Sequence, residues 1–383
     1  MTLKQAHPGP LRGVKVLEVE GTGGSPYATM LLADLGAEVI RIERPRRDPA
    51  AIGGTDPGPV LGRGRRCVLG LDLKQPEGVA LLLELADQAD VLIEAFRPGV
   101  AERLGFGPEV VRQRNPRLVY GRLTGWGREG PLAQAAGHDI NFVALAGLLG
   151  QTGRAGQAPT PPLAIGGDMG GGLFLALGIV SALFERAGSG RGQVVDAAMV
   201  DSAASLMGAF WGFFGQGQWS TQREDNLTDG GAPMYDTYLC QDGRYVAIGA
   251  LEPRFFAVLK EKIGLEDAAD PHDRSQWPRL QAQLRRIFLS RPSFEWRALL
   301  EGSDACFAPV LDFASAPAHP QLQANGTFVE LDGVLQPAAT PRLSRTPAVA
   351  CARGRGPSAA LQAWGVPTQR IAELQGTGVL ARD

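Results

Sequence analysis

An alternation of strand-like and helix-like segments in the first half of the chain most constrains the fold. Residues 14–21 (VKVLEVEG) form a short β-rich run, residues 27–38 (YATMLLADLGAE) carry apolar residues at helical spacing, and residues 39–43 (VIRIE) are β-rich again. A strand, a helix and a strand in this order are typical of a βαβ unit, whose two strands are parallel. The pattern continues in residues 81–96 and 117–126, which predicts an α/β protein with a Rossmann-like parallel sheet covered by helices.

Changes of pattern along the 383 residues predict the domain organisation. We assign residues 1–204 to the large Rossmann-like domain, residues 205–325 to a smaller α+β domain, and residues 326–383 to a C-terminal segment that returns to the large domain. In the small domain two alternating strands flank the turn at residues 241–243 (QDG), as in a β-hairpin. Residues 358–374 predict one last helix.

A long apolar segment stands out within the large domain. Residues 166–186 (GGDMGGGLFLALGIVSALFER) run from glycines into a helix that is apolar on all sides. A helix of this kind is usually buried, so we expect it in the core. Its N-terminus, which contains Asp168, is a candidate site because exposed N–H groups and the positive end of the helix dipole favour negative charge there.

Composition and charge exclude several classes of function. The formal net charge of −2 provides no overall field that would draw the protein to nucleic acid. No apolar run reaches the ~18 residues of a membrane span, and residues 1–13 lack the apolar part of a secretory signal. The four cysteines show no CxxC spacing, which argues against a zinc site or a disulfide framework. We expect a cytoplasmic protein with reduced thiols and without a metal, a nucleic-acid partner or a membrane partner.

The segment GTGGSP, which follows the first strand, is similar to a dinucleotide-binding loop. Glu43 lies about twenty residues later, where such a fold places its ribose ligand. The third glycine of the motif is replaced by Pro26, and Arg44 and Pro45 follow the acidic residue. We therefore interpret the loop as a tight turn between strand and helix rather than as a nicotinamide site.

Segments from most of the chain together resemble one family, the family III CoA-transferases, and more narrowly its α-methylacyl-CoA racemase branch. The segments are PLRGVKVLEV, LLADLGAEVIRIERP, GRGRRCVLGLDLKQPEG, DVLIEAFRPGVAERLGFGPE, AGHDINFVALAG, GDMGGGLFLALGI, GQVVDAAMVD, LTDGGAPMYDTY, ALEPRFF and DACFAPVLDFASAPAHP. The resemblance implies an interlocked homodimer of two-domain subunits. Each active site would lie between the large domain of one subunit and the small domain of the other.

Racemisation next to a thioester carbonyl requires one group that removes the α-proton and another that returns it on the opposite face of a planar enolate. From the residues alone, His138 is a catalytic base or a structural histidine, and Asp168 is a helix N-cap or a catalytic carboxylate. Glu252, which we place at the end of a strand, is an ordinary exposed glutamate or a partner of a base. The resemblance implies that His138 and Asp168 are the two acid/base groups and that Glu252, from the partner subunit, works with the histidine.

The resemblance also implies which residues line the site for coenzyme A, which is carried as part of the acyl-CoA substrate, so that no separate cofactor is expected. Basic side chains suit its phosphates, and apolar side chains or backbone suit its pantetheine arm. The positions are Arg44, Leu71, Lys74, Ala95, Phe96, Arg97, Arg103, Gly137, Asp139 and Phe142.

Three functions are compatible with these residues. The leading hypothesis is an isomerase of fatty acid metabolism that racemises branched 2-methylacyl-CoA thioesters by cofactor-independent proton transfer. The second is a CoA-transferase in which Asp168 is the nucleophile that accepts the acyl group. The third is an acyl-CoA-binding protein without turnover, which the presence of His138, Asp168 and Glu252 argues against.

Overall fold

The computed structural model describes residues 8–45, 58–266, 269–352, 354 and 356–381. These residues form two compact units. The first unit comprises the chain up to Ala146, Leu163–Leu206 and the chain from Ala324 onward, and the second comprises Gly147–Pro162 and Met207–Gln323.

The first unit is built around a six-stranded sheet in which all neighbouring strands are parallel. Its order, β3-β2-β1-β4-β5-β6, is that of a doubly wound sheet. The predicted α/β class with a Rossmann-like parallel sheet is confirmed. The strands are β1 (Lys15–Val19), β2 (Glu38–Glu43), β3 (Arg65–Gly70), β4 (Val91–Glu94), β5 (Val119–Thr124) and β6 (Val194–Ala198). The helices in this part of the unit are α1 (Gly24–Asp34), α2 (Gly58–Leu61), α3 (Pro76–Ala86), α4 (Val100–Leu104), α5 (Pro108–Arg114), α6 (Asp139–Leu145), α7 (Gly170–Ser189) and α8 (Met199–Leu206).

Side chains alternate between the two faces of this sheet and form two separate cores. In β1, Leu17 packs into a core that includes α3, and its neighbour Val16 packs into a core that includes α1 and α7. The pair Leu92 and Val91 in β4 divides in the same way. Because both faces are covered by helices, both sets of strand side chains are apolar.

A buried ionic cluster joins three strands of the sheet to α1. The carboxylate of Glu18, which is fully buried in β1, accepts hydrogen bonds from Arg41 and, at 2.6 and 2.9 Å, from Arg65. Arg65 also donates to Oγ1 of Thr29 on α1 at 2.8 Å, and Arg41 donates to the carbonyl oxygen of Gly21 at 3.2 Å. Burial alone would raise the pKa of Glu18, but the positive charges of Arg65 and Arg41 hold that pKa below its usual value. The cluster therefore fixes the start of the loop that follows β1.

The apolar helix α7 is only half-buried, so the expectation that it lies wholly in the core is wrong. Leu175 and Ile179 face the sheet and are fully buried, whereas Leu177 and Phe184 lie on the opposite side, where Phe184 is 84% exposed. The sheet covers one side of the helix, and the residues described in this unit leave the other side open. By length and composition Ile165–Ser189 could also cross a membrane, contrary to the expectation from sequence, but its sheet-facing side belongs to the core of the unit.

The N-terminal ends of α1 and α7 pack backbone against backbone. A Cβ atom on Gly172 of α7 would lie 2.3 Å from the carbonyl oxygen of Gly24, and a Cβ on Gly24 would lie 2.3 Å from the carbonyl oxygen of Asp168. Because real Cβ atoms do not approach other atoms this closely, only glycine fits at both positions. This contact fixes where the chain around Asp168 lies with respect to the loop after β1.

The second unit has a three-stranded antiparallel sheet, β7-β8-β9, covered by helices. The predicted hairpin around residues 241–243 is present as β7 and β8. Stacked and edge-on rings of Tyr238, Phe288 and Trp296, with centroids 5.1 Å apart in each pair, form the centre of its core. The elements are α9 (Gly208–Gly215), β7 (Tyr235–Leu239), β8 (Tyr245–Gly249), α10 (Pro253–Ile263), α11 (Trp277–Phe288), α12 (Ser293–Leu300), β9 (Phe307–Pro309) and α13 (Pro320–Ala324).

Residues 147–162, which the sequence analysis assigned to the large domain, belong to the second unit. Arg154 explains the difference, since it donates to Glu224 at 2.9 Å and to both carboxylate oxygens of the buried Asp236 at 2.5 and 3.0 Å. The N–H of Ala155 donates to the same Glu224 at 2.9 Å. These contacts are far apart in sequence and leave no local pattern.

The last part of the chain completes the first unit. Strands β10 (Phe328–Leu331) and β11 (Val334–Pro337) form an antiparallel hairpin, and the helices α14 (Pro357–Ala363) and α15 (Thr368–Gly376) follow. The single helix predicted for residues 358–374 is wrong, because Gly365 at φ +83° and Pro367 interrupt it. Both helices place large side chains in the core of the sheet, among them Leu361, Trp364 and Ile371.

The packing of α1 on α7 predicts different effects of two alanine substitutions on the same helix. Gly172→Ala forces α1 and α7 apart and should destabilise the first unit by about 1–3 kcal/mol. At Gly188 no atom lies within 4 Å of an added Cβ, so Gly188→Ala should be neutral or stabilise the helix by up to about 1 kcal/mol. Differential scanning calorimetry of both variants checks this, and equal melting temperatures for the two would contradict the packing argument.

Candidate active site

The candidate site lies at the carboxyl edge of the parallel sheet, where the strand order changes direction. β1 pairs with β2 on one side and with β4 on the other, so the loops after β1 and β4 leave the sheet next to each other. A Cβ atom on Gly21, after β1, would lie 2.9 Å from Cβ of Ala95, after β4. Crevices at such a change of direction are where doubly wound sheets bind their ligands.

His138 is the N-cap residue of α6. Its backbone N–H donates to Oδ1 of Asn141 at 3.0 Å, and its carbonyl oxygen accepts from the N–H of Asn141 at 2.8 Å. The backbone is therefore held at the helix start while the residue itself is exposed. The imidazole is available to a substrate, at the positive end of a helix.

Asp168 lies in a π-helical turn, Ile165–Met169, that leads into α7. The sequence pattern allowed Asp168 as the N-cap of the helix, but the N-cap residue is Met169, and the helix has no side-chain capping bond. The N–H groups of Gly167 and Asp168 instead donate to Oδ1 of Asp139, at 2.6 and 2.9 Å. Turns of this kind are frequent at functional sites.

The surroundings of Asp168 favour the protonated form of its carboxyl. Burial, followed by the negative charge of Asp139, raises the pKa of Asp168 to about 6, and His138 acts in the opposite direction. A carboxyl with this pKa can both accept and donate a proton near neutral pH. Because the charge of His138 lowers the pKa of Asp168, the two candidate acid/base groups belong to one electrostatic site, in which each is close enough to influence the other.

The glycines after β1 approach Asp168 closely. A Cβ atom on Gly23, which has φ +62°, would lie 2.5 Å from Oδ2 of Asp168. This loop was interpreted from sequence as a tight turn only, and its contact with Asp168 was missed. Glycine runs at the start of two apolar helices, GTGGSP and GDMGGG, are the signal that could have suggested it.

Glu252 belongs to the second unit and is exposed. It was expected at the end of a strand, but β8 ends at Gly249 and Glu252 is the N-cap residue of α10. Pro253 occupies the first helical position, where proline is favoured because its missing N–H costs no hydrogen bond. The carboxylate makes no capping bond and remains available.

The ten positions implied to line a coenzyme A site follow the strands of the first unit or lie at the start of α6. Arg44, Lys74, Arg97 and Arg103 are exposed, and Nε of Arg44 lies 3.7 Å from the carboxylate of Glu20. The loop that carries Ala95, Phe96 and Arg97 is anchored by Glu94, which accepts from the N–H of Phe96 at 2.7 Å and from Arg122 at 3.0 Å.

Three of the ten positions are buried in this structure. Leu71 packs in the core and bridges to Leu380, and Phe142 packs edge-on against Trp126 with ring centroids 4.8 Å apart. Asp139 is 5% exposed, and its carboxylate is turned toward the turn that carries Asp168. Gly137 lies next to Phe142, since a Cβ on Gly137 would be 2.8 Å from that ring. These buried positions support the exposed residues of the candidate site.

Within the described ranges, no group of three or more histidine, cysteine or acidic side chains could hold a metal ion. The four cysteines form no disulfides, and burial raises the pKa of Cys240 to about 11.

Comparison with known proteins gives consistent matches over almost the whole chain. The model of CoA-transferase family III matches residues 11–359. The chain is 42% identical to alpha-methylacyl-CoA racemase of Mus musculus over 97% of this chain and 98% of that protein. It is 41% identical to alpha-methylacyl-CoA racemase of Homo sapiens, over 88% of each chain. A crystal structure of a CaiB/BaiF family protein from Brucella suis superposes with a TM-score of 0.80 at 27% identity, covering 93% of this chain and 99% of that one.

The raised pKa of Asp168 predicts a pH-dependent stability effect of Asp168→Asn. Below about pH 3 the carboxyl is protonated in both the folded and the unfolded state, so ionisation should contribute nothing to the stability difference there. Above about pH 6 the folded protein must ionise a disfavoured carboxyl, so the variant should be more stable than the natural protein by on the order of 2 kcal/mol. Melting temperatures between pH 3 and pH 8 test this. A stability difference that is constant with pH would contradict the assigned environment.

Proposed function

Because the chain belongs to CoA-transferase family III, we propose that it racemises 2-methylacyl-CoA thioesters by moving the α-proton between His138 and Asp168. The observation that carries the proposal is the pair itself: an exposed imidazole and a carboxyl with a pKa near 6 in one electrostatic site. The similarity to proteins named alpha-methylacyl-CoA racemase supports racemisation over transfer of CoA. Both similarities extend over most of the chain.

In the proposed reaction, one base removes the α-proton while the other group already carries a proton. The electron pair of the broken C–H bond moves to the thioester oxygen and gives a planar enolate. The second group then donates its proton to the opposite face, so that the protonation states of the two groups are exchanged at the end of the reaction. This requires two groups of comparable acidity, and burial together with the charge of Asp139 provides this for Asp168 by raising its pKa.

The helix termini around the site favour the charge that develops in this reaction. α6 begins directly after His138, and α7 begins directly after the turn that holds Asp168. The positive ends of both helices are therefore at the two proposed bases, where they would stabilise the negative charge of an enolate. In this proposal the N-terminal ends of α6 and α7 and the basic side chains at the carboxyl edge of the sheet stabilise the negative charge, and no added cofactor is needed.

Coenzyme A is proposed to lie along the same edge of the sheet. Arg44, Lys74, Arg97 and Arg103 present exposed positive charge there and suit its phosphates. The backbone from Ala95 to Arg97, which Glu94 holds in place, suits the pantetheine arm. The proposed setting is cytoplasmic, and the proposed pathway is the metabolism of branched fatty acids.

The protein is further proposed to act as a homodimer in which the partner subunit's Glu252 pairs with His138. The uncovered side of α7, with Leu173, Leu177 and Phe184, is an apolar surface of the kind that a second subunit covers. In the second unit, α9 exposes Trp211, Phe213 and Phe214 as well. A partner that covers these faces would remove apolar surface from water.

The racemase proposal predicts α-proton exchange without a second substrate. One enantiomer of a 2-methylacyl-CoA, incubated with the protein in deuterium oxide and without free carboxylic acid, should gain α-deuterium and lose optical purity. Loss of optical purity should fall at least about 100-fold in His138→Ala and in Asp168→Asn, because inversion needs both groups. In each variant α-deuterium exchange should persist only for the enantiomer that the remaining base deprotonates. Chiral chromatography and mass spectrometry of the recovered thioester measure the two signals.

Other outcomes of the same experiment would overturn the proposal. No exchange, combined with transfer of CoA once a free acid is supplied, would assign the chain to the transferases of the family, with Asp168 as nucleophile. Binding of acyl-CoA without either reaction, over a panel of acyl groups, would leave a binding protein. Retained racemisation in Asp168→Asn would remove that residue from the proton transfer.

The shared site predicts complementation between two inactive variants. When His138→Ala and Glu252→Gln subunits are mixed by co-expression, half of the dimers should contain one subunit of each kind. In such a dimer one site lacks both groups and the other lacks neither, so activity should return to about a quarter of the natural level. Racemisation by the mixture, compared with each variant alone, measures this. No recovery in dimers shown to be mixed would place Glu252 and His138 of the same subunit in one site, or Glu252 outside the site.

A further inference from the structure

Asp139 connects the two proposed acid/base groups. It follows His138 in the chain as the first residue of α6, and its carboxylate bonds to the backbone of the turn that carries Asp168. The residue is 5% exposed, so these bonds are shielded from water. A Cβ on Gly167 would lie 2.8 Å from Oδ1 of Asp139, which shows how closely this oxygen approaches the turn.

The turn needs an acceptor from outside itself. Leu163 and Ala164 precede it with φ of +56° each, a conformation that costs non-glycine residues energy. In the turn, the N–H of Met169 bonds to the carbonyl oxygen of Ala164 at 3.3 Å, as in a π-helix. Gly167 and Asp168 precede Met169 in the turn, and the first N–H groups of a helix have no carbonyl partner within the helix. Oδ1 of Asp139 accepts from both.

We propose that Asp139 is a positioning residue whose carboxylate holds the π-helical turn against the start of α6, and thereby sets the placement of Asp168 with respect to His138. The inference rests on the proposed racemase function, since proton transfer between opposite faces of one carbon depends on the distance between the two groups. A displacement of about 1 Å can cost about 100-fold in rate. The resemblance implied only that Asp139 lines the coenzyme A site.

The charge of Asp139 has a separate effect from its geometry. After burial, it is the group that raises the pKa of Asp168, and His138 lowers that pKa. Among the other helices that pack against the turn, α1 and α7 carry their charged residues near their C-terminal ends, and α8 carries the exposed Asp201. Replacing Asp139 by a neutral residue should therefore lower the pKa of Asp168.

Two substitutions separate geometry from charge. In Asp139→Asn the amide oxygen can still accept both N–H bonds, whereas in Asp139→Ala the acceptor is lost. We expect kcat to fall less than about 10-fold in Asp139→Asn and at least about 100-fold in Asp139→Ala, with KM for the acyl-CoA nearly unchanged in both. For the enantiomer that Asp168 deprotonates, the acid limb of the pH profile of kcat/KM should move to lower pH in Asp139→Asn. Asp201→Asn, which removes an exposed carboxylate outside these bonds, is the matched control and should change neither quantity.

A measurement that does not depend on activity tests the geometry directly. Amide hydrogen exchange of the peptide covering residues 163–172, followed by mass spectrometry, should accelerate in Asp139→Ala and stay near the natural rate in Asp139→Asn. A rise in KM with unchanged kcat in both variants would assign Asp139 to coenzyme A binding instead. Equal losses of kcat in both variants without a shift of the acid limb, or unchanged amide exchange in Asp139→Ala, would also overturn the proposal. If the natural protein racemises nothing, the proposed function fails, and the exchange experiment still decides whether Asp139 holds the turn.

Discussion

The contact between the backbones of α1 and α7 at Gly24 and Gly172 is the constraint on which the rest of the first unit depends. It joins the N-terminal ends of two helices that are far apart in sequence. Their backbones are so close that neither Gly24 nor Gly172 has room for a Cβ atom. The Glu18 cluster holds the start of the loop after β1, and the contact of Gly24 with α7 holds its end. Asp168 therefore lies beside a loop that is fixed by contacts on two sides, as the proposed proton transfer would require of its surroundings.

Two carboxyl groups of the first unit differ in how easily they ionise. Asp168 is partly buried without a cation of its own, and the energy needed to ionise it there is the origin of its acidity near neutral pH. Glu18, in contrast, is fully buried but paired with two arginines, and its charge is retained. The neighbours thus shift the pKa of two carboxyl groups in opposite directions: Glu18 stays ionised, and the pKa of Asp168 lies near neutral.

The sheet was predictable from the sequence because its signals are local. Neighbouring apolar residues such as Val16 and Leu17 read as strands covered on both faces, and the order of strands and helices implies parallel pairing. The exposed side of α7 was not predicted, because an apolar sequence does not reveal whether each side of a helix is covered by its own chain. The hydrogen bonds of Asp139 to the turn could not be predicted, because the two N–H groups are 28 and 29 residues away in sequence. Glu252 as a helix N-cap could have been predicted, since Pro253 after it is a typical first residue of a helix.

The separation of the first unit into distant stretches of chain has a consequence for its biosynthesis. Leu361, Trp364 and Ile371 fill the core on one face of the sheet, and they leave the ribosome after the whole of the second unit has been made. The sheet must therefore wait with an open apolar face while residues 207–323, which are continuous in sequence, can already fold. During this interval the nascent chain exposes the sheet face that α14 and α15 later cover, which makes it a natural client for chaperones that bind unfinished apolar surfaces.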